Sequence, residues 1–221
     1  MADEAQRFHG VSPAKIRLLY PPVDGDLFTP VDADTRDRLR AEVGLPNDRA
    51  VFLLASTGHR RKGLDMLMDF FGSTKLPVSL VVAGRPISGV SSLPPNVRSL
   101  GYRSDIENVY RAVDFTVMAS IYEPFGLVGV ESALCGTPVL MASNVGCAEV
   151  LRPPAGSVFD LNVPNTSTTS FHMAMENAVE RWRTDTSRIA DPKACIAYDT
   201  SVLSHIDALL TIAGALSRSQ A

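Results

Sequence analysis

Short apolar runs of strand length alternate with stretches of helical composition along this chain, and that alternation constrains the fold more than any other feature. Residues 50–55, 78–83, 115–119 and 138–142 are apolar almost throughout, and 97–100 is a shorter strand candidate. A further candidate, the first in the chain, lies at 16–20 and is closed by Pro21-Pro22. Strands read in this continuous way when helices cover both faces of a parallel sheet. The intervening helices are expected at 34–43, leaving through Gly44-Leu45-Pro46, at 63–71, at 105–112 with Asp105 as N-cap, and at about 127–134. The order implies one doubly wound α/β domain built on a parallel sheet.

Beyond residue 160 the texture changes. Residues 165–170 form a Ser/Thr-rich loop or helix entry, and the remainder reads as helix. The last stretch, 201–218, sets Leu203, Ile206, Leu210 and Ala213 at helical spacing. The expected organisation is a linker or helix end at 1–14, the sheet domain at 15–165, and a helical C-terminal tail at 166–221 that packs on it.

Composition removes several classes of function. Hydrophobic residues are 45% and charged residues 20%, which fits a folded domain and excludes disorder as an overall description. The 21 basic and 24 acidic side chains leave a formal charge of −3, without the basic excess that a nucleic-acid partner requires. No uncharged apolar run approaches the roughly 18 residues of a membrane span. The opening Met1-Ala2-Asp3-Glu4 is acidic, unlike a secretory signal. Cys135, Cys147 and Cys195 are odd in number and make no C-x-x-C pair, which points to a reducing, cytoplasmic compartment, and Cys135 and Cys147 read as small buried thiols.

Ligands of open parallel sheets bind beyond the carboxyl ends of the strands. Three of the loops there combine glycine with charge: Gly58 with His59-Arg60-Arg61-Lys62, Gly84 with Arg85, and Gly126 after Glu123. The basic cluster stands at a helix start, where free N–H groups already favour phosphate. Glu123 falls in the loop beyond a buried strand, and the N–H groups of Phe125, Gly126 and Leu127 open the next helix. Glu131 projects from the second turn of that helix, as a carboxylate suited to the paired hydroxyls of a ribose.

The segment Glu123-Pro124-Phe125-Gly126-Leu127…Glu131-Ser132-Ala133…Gly136-Thr137-Pro138-Val139 resembles the E-P-F-G-L…E-A…G-x-P-V signature of retaining GT-B glycosyltransferases of family 4. Further matches follow in order. Pro21-Pro22-Val23-Asp24…Phe28-Thr29-Pro30 is similar to the family's N-G-V-D…F-x-P loop, and Lys62-Gly63-Leu64-Asp65 to its K-G-(V/L)-D. Val81-Val82-Ala83-Gly84 resembles a strand ending in glycine, and Val145-Gly146-Cys147-Ala148-Glu149-Val150-Leu151 resembles G-G-x-x-E-(I/V)-(V/L). The resemblance covers roughly residues 11–160.

That resemblance implies a Rossmann-like domain, one half of a GT-B fold, which binds a nucleotide-sugar such as a UDP- or GDP-sugar. It would place Glu123 near the transferred sugar, with the backbone of Pro124, Phe125, Gly126 and Leu127 beside it, Glu131 on the ribose and Lys62 on the diphosphate. Gly58 and Gly84 would border the donor. The family's basic partner stands five residues before the lysine, where this chain has Thr57, so Arg60 or Arg61 would substitute. Tyr102 and Arg103 would lie in the loop that reads the base. No metal or other cofactor is implied. An N-terminal acceptor-binding domain would precede residue 1, the last helix could cross to it, and peripheral membrane association would run through that domain. Two rival classes stand beside this one. The first is a non-enzymatic nucleotide-binding module that regulates a partner. The second is a GT-A transferase, whose metal would be held by Asp24-Gly25-Asp26 or Asp32-Ala33-Asp34. His9, His59, His172 and His205 are scattered, and of these only His59 falls at the expected cleft.

Overall fold

A computed structural model describes residues 2–88, 92–160, 167–185 and 187–218. In chain order, α1 spans Ala2–His9, α2 Ala33–Val43, β1 Ala50–Ser56, α3 Leu64–Ser73, β2 Val78–Gly84, β3 Val97–Gly101 and α4 Ile106–Ala112. There follow β4 at Phe115–Met118, α5 at Leu127–Leu134, β5 at Val139–Ala142, β6 at Gly156–Phe159, α6 at Ser167–Arg183 and α7 at Val202–Arg218. Two compact units result, one taking the residues up to Leu27 with those from Tyr198 on, the other running from Phe28 to Ala197.

The larger unit holds the sheet. Its six described strands are all parallel, in the order β3-β2-β1-β4-β5-β6. The chain winds outward from β1 to β3, then returns to set β4 on the other side of β1, which is the topological switch of a doubly wound, Rossmann-like sheet. β1 pairs with β2 along its whole length, from Ala50 opposite Val78 to Ser56 opposite Gly84. Its ladder with β4 holds only Phe52 opposite Phe115 and Leu53 opposite Thr116. The last three residues of β1 therefore run on without β4, and a crevice opens at the switch.

Apolar side chains on both faces hold this arrangement. Phe52, Leu53, Leu54, Phe115, Val117, Leu140 and Met141 are buried, as continuous apolar strands require. The Phe52 and Phe115 rings stack at 5.1 Å across neighbouring strands. On one flank, Phe70 of α3 meets Phe171 of α6 edge-on at 5.0 Å. All three cysteines are buried and unpaired, and burial pushes the Cys135 and Cys147 thiols up to about 12.

Several expectations are corrected. Residues 16–20 form no strand: they belong to the smaller unit, outside the sheet, and β propensity without a neighbouring strand does not make one. Asp105 precedes α4, but its carboxylate caps no helical N–H; Arg103 claims both of its oxygens instead, at 2.8 and 2.6 Å. β6 is an additional strand, pairing with β5 from Val139 opposite Gly156 to Ala142 opposite Phe159. The boundary expected at 165/166, and the first part of the Ser/Thr-rich entry, lie outside the described residues.

In the smaller unit, α1 and α7 are accompanied by a turn in which Asp24 Oδ1 accepts the N–H groups of Asp26 at 3.0 Å and Leu27 at 3.1 Å. In the larger unit, Asp32 caps α2 by accepting the Thr35 N–H at 2.7 Å. Both Asp-x-Asp strings thus lend their leading carboxylate to local backbone. Among the described residues, no three His, Cys, Asp or Glu side chains gather as a metal-binding group. No described helix is long and apolar enough to cross a membrane.

Candidate functional site

The crevice at the switch is a cavity of about 340 Å³. Ala55, Ser56 and Thr57 at the end of β1, Ala83 and Gly84 at the end of β2, and Tyr102 and Arg103 after β3 line one side. Arg61 and Lys62, Ile106 and Tyr110 of α4, and Val128 and Glu131 of α5 complete it. Backbone approach shapes the wall at Gly84, where φ is +129° and a Cβ would collide with the Ser56 carbonyl oxygen. His59 ties the loops together, with Nδ1 3.0 Å from Ser56 Oγ and Nε2 2.9 Å from the Arg85 carbonyl.

Cations meet a carboxylate at the rim. Lys62 and Arg61 both donate to Glu123 Oε2, Arg61 at 3.0 Å. The Lys62 and Glu123 side chains are only 10% and 12% exposed, whereas Arg61 is 48% exposed. Arg61 also donates to the Tyr122 carbonyl at 2.7 Å, and its own carbonyl accepts the Ile121 N–H at 2.9 Å. The Glu123 loop is held from beneath. Gly146 N–H donates to the Glu123 carbonyl at 3.0 Å and Cys147 N–H to the Phe125 carbonyl at 2.7 Å. Gly126 turns the chain into α5 at φ +92°, where a Cβ would lie 2.6 Å from Met118 Cε. Leu127 and Val128 then start the helix with N–H groups that have no helical acceptor.

Glu131 has a different partner. Its Oε2 accepts the Tyr110 hydroxyl at 2.9 Å. Burial raises its carboxyl above the ordinary value, with the Tyr110 hydrogen bond and the Lys62 charge pulling it back down. At the outer edge, Arg103 holds the Asp105 carboxyl below its ordinary value through their paired hydrogen bonds.

Of the residues expected at the site, Arg61, Lys62, Gly84, Tyr102, Arg103 and Glu131 line the cavity, and Glu123 joins them through its ion pairs. Gly58 accepts the Lys62 N–H at 3.0 Å, which closes the turn carrying the basic cluster. Arg60 is exposed and does not line the cavity. Pro124, Phe125, Gly126 and Leu127 form the loop and helix start beside Glu123 rather than the cavity wall. Tyr110 was not foreseen. It lies 21 positions before Glu131 and reads as one more apolar helix residue, so no local pattern marks it.

The family described as glycosyl transferases group 1 matches residues 35–186. The chain belongs to that family. Among curated relatives of this group 1 domain, a probable transglycosylase of Burkholderia thailandensis is 45% identical over 216 residues, 96% of this chain and 58% of its own. D-inositol 3-phosphate glycosyltransferase 1 of Catenulispora acidiphila is 32% identical over 179 residues, 71% of this chain and 42% of its own. The chain thus spans about half the length of these relatives. The crystal structure of Anabaena HepE in complex with UDP and glucose superposes with a TM-score of 0.73 at 23% identity, over 95% of this chain and 59% of that one. That likeness is one of fold: the chain has the architecture of a GT-B glycosyltransferase's C-terminal domain.

Proposed function

We propose that the group 1 domain is the donor-binding half of a glycosyltransferase that takes a sugar from a nucleotide-sugar, with retention at the anomeric carbon. One observation carries the reading: a single cavity at the topological switch joins a buried lysine, an arginine, a carboxylate held ready for hydroxyls, and the backbone of two strand ends. Lys62 and Arg61 supply positive charge for a diphosphate, Glu131 a diol acceptor for the ribose, and Glu123 an acceptor for hydroxyls of the transferred sugar. Tyr102 and Arg103 border the base. The complexes of HepE, which has a similar fold, with UDP and glucose and with UDP-glucose, and the names of curated relatives, support the same class.

Catalysis on this reading is electrostatic. Bond cleavage at the anomeric carbon leaves negative charge on the diphosphate, which Lys62, Arg61 and the start of α5 stabilise in a partly dry site. Glu123 neutralises the two cations until the donor arrives, then shares them with it. The cationic side chains and the helix start take the part a metal plays elsewhere, so the reading includes no metal. The acceptor is proposed to be held by a second domain, which also carries any membrane contact, in a cytoplasmic enzyme.

Calorimetry in chelator with UDP-, GDP- and ADP-sugars tests the donor site. Binding at about millimolar to tens of micromolar is expected for at least one, and no binding by any at millimolar concentration overturns the reading. Transfer of labelled sugar is expected only when an acceptor domain is joined or added in trans, since orienting the second reactant accounts for about 7–11 kcal/mol of a barrier. Multiple-turnover transfer by the 221-residue chain alone, lost in Glu123→Ala, would place an acceptor site within it.

A further inference from the structure

Tyr110 is among the largest fully buried side chains of the molecule, at 1% exposure, yet its hydroxyl reaches the cavity wall. A phenol placed in a core must find a hydrogen-bond partner, and this one finds Glu131. The rest of the tyrosine is fixed with unusual thoroughness. It belongs to one buried cluster with Val43, Leu45, Val109 and Cys135, and Phe28 is tilted against its ring at 6.1 Å. Its carbonyl accepts the buried Thr137 hydroxyl at 2.6 Å, and Thr137 in turn accepts from Arg188. Ser132, the neighbour of Glu131, is tied to the same region, donating to the Thr137 carbonyl at 3.0 Å. The tyrosine and the glutamate are therefore both anchored on the short loop that enters β5.

The hydrogen bond engages Oε2 of Glu131, while Oε1 has no protein partner among the described residues. A carboxylate oxygen accepts two hydrogen bonds, so Oε2 keeps one site and Oε1 both. Without the phenol the carboxylate could rotate about its last torsion, which is broad for glutamate. With it, the carboxylate plane is set.

We propose that Tyr110 is a positioning residue for donor recognition: its buried hydroxyl fixes the Glu131 carboxylate so that it meets both hydroxyls of a vicinal diol, making the pair, rather than the glutamate alone, the element that tells ribose from deoxyribose. This rests on the donor-site reading above. The phenol acts only through Glu131 and makes no contact with the diphosphate.

Tyr110→Phe removes one oxygen and leaves the core ring in place. Affinities of the wild type and this variant are to be measured by calorimetry for UDP, GDP and ADP and for their 2′-deoxy counterparts, from about pH 4 to pH 8. The ribose-to-deoxyribose affinity ratio is expected to fall about tenfold in Tyr110→Phe, the size of one hydrogen bond to a charged group, with deoxynucleotide affinity unchanged. The groups facing Glu131 are Tyr110 from α4, Lys62 from the turn before α3 and Cys135 at the end of α5. Of these, the phenol lowers the carboxyl, so its loss moves the acidic limb of ribonucleotide binding to higher pH. A merely structural role would leave that limb in place. Wild-type discrimination that persists in a folded Tyr110→Phe, with an unmoved limb, overturns the inference alone. A wild type that binds ribo- and deoxyribonucleotides equally, or binds no diphosphate, overturns the donor-site reading and the inference with it.

Discussion

Two clusters of cationic side chains and a carboxylate sit at opposite ends of β4, and they have opposite characters. At the amino end, Asp114 is 3% exposed by its side chain and accepts from Arg36 at 2.5 Å, from Arg40 at 3.3 Å, and from the Val51 N–H at 2.8 Å. Arg40 spends its remaining donors on the carbonyls of Ala112 at 2.7 Å and Pro46 at 2.6 Å and on Asn47 Oδ1 at 3.1 Å. Arg188, beside them, donates to the carbonyls of Cys135 at 2.6 Å and Val113 at 3.3 Å, and burial holds its guanidinium down at about 10. At the carboxyl end, Lys62, Arg61 and Glu123 also pair, but Lys62 and Arg61 line a cavity and Glu131 keeps an oxygen free beside them. Ion pairs alone therefore do not mark a site. The closed cluster fastens α2 and the strand starts together; the open one leaves polar capacity for something not yet bound.

The largest effect that tests this contrast is on stability. Asp114→Asn removes the charge that compensates two arginines and is expected to cost about 3–5 kcal/mol, the usual consequence of orphaning a buried cation. Glu123→Gln, at the open end, is expected to shift the urea midpoint less: Arg61 is half exposed, and Lys62, although only 10% exposed, lines the cavity, where water can reach it. Midpoints of equal size, at unchanged m, would break the comparison.

Next in size is an effect on binding. Lys62→Ala is expected to weaken nucleoside diphosphates by about 1–3 kcal/mol, and free nucleosides hardly at all, since on the proposed reading it withdraws a charge that phosphate would share with Glu123. The fold should be little disturbed, because Arg61 remains on Glu123. Calorimetry on the two ligand series checks this. Equal losses for both would mean that Lys62 shapes the cavity rather than engaging phosphate.

How far each end was legible follows from the range of its contacts. The strand at 78–83 is encoded in a near-continuous apolar run, and the one at 97–100 by its bounding Pro and Gly with a helix after it, and their placement in a doubly wound sheet follows from chain order. Lys62 and Glu123 in their loops, and Glu131 in the helix that follows, are legible as candidates because the carboxyl ends of strands are known in advance to face a ligand. What escapes is set by partners distant in sequence. Asp114 meets Arg36 across 78 positions, and nothing local distinguishes it from a surface aspartate. Tyr110 looks apolar until Glu131 is folded beside it. The reverse error occurs at 16–20, where Ile16, Leu18 and Tyr20 alternate with other residues as a strand would, and no neighbouring strand is there to pair with. Asp105 has the composition of a helix cap, but the arginine two residues before it competes and wins.

The smallest effect has the opposite sign from the first, and so tests the contrast most sharply. Burial holds the Glu131 carboxyl above its ordinary value. In the unfolded chain the same group ionises at the ordinary value and carries no such penalty. Between the two values the native state binds more protons than the unfolded state, so stability falls as pH rises through that window and levels off above it. Glu131→Gln abolishes the titration while keeping an acceptor for the Tyr110 hydroxyl. Its melting temperature is expected to match the wild type below the window and to exceed it by about 1–3 °C at neutral pH, as a fraction of a kcal/mol does in a chain of this length. On the proposed donor-site reading the gain is expected to come with loss of a ribose preference, the usual exchange where a site holds an uncomfortable charge for the sake of a ligand. Melting curves at acid and neutral pH decide it. A difference that stays flat across pH, or a Glu131→Gln variant less stable at neutral pH, would show the open end to be fastened by its charges just as the closed end is.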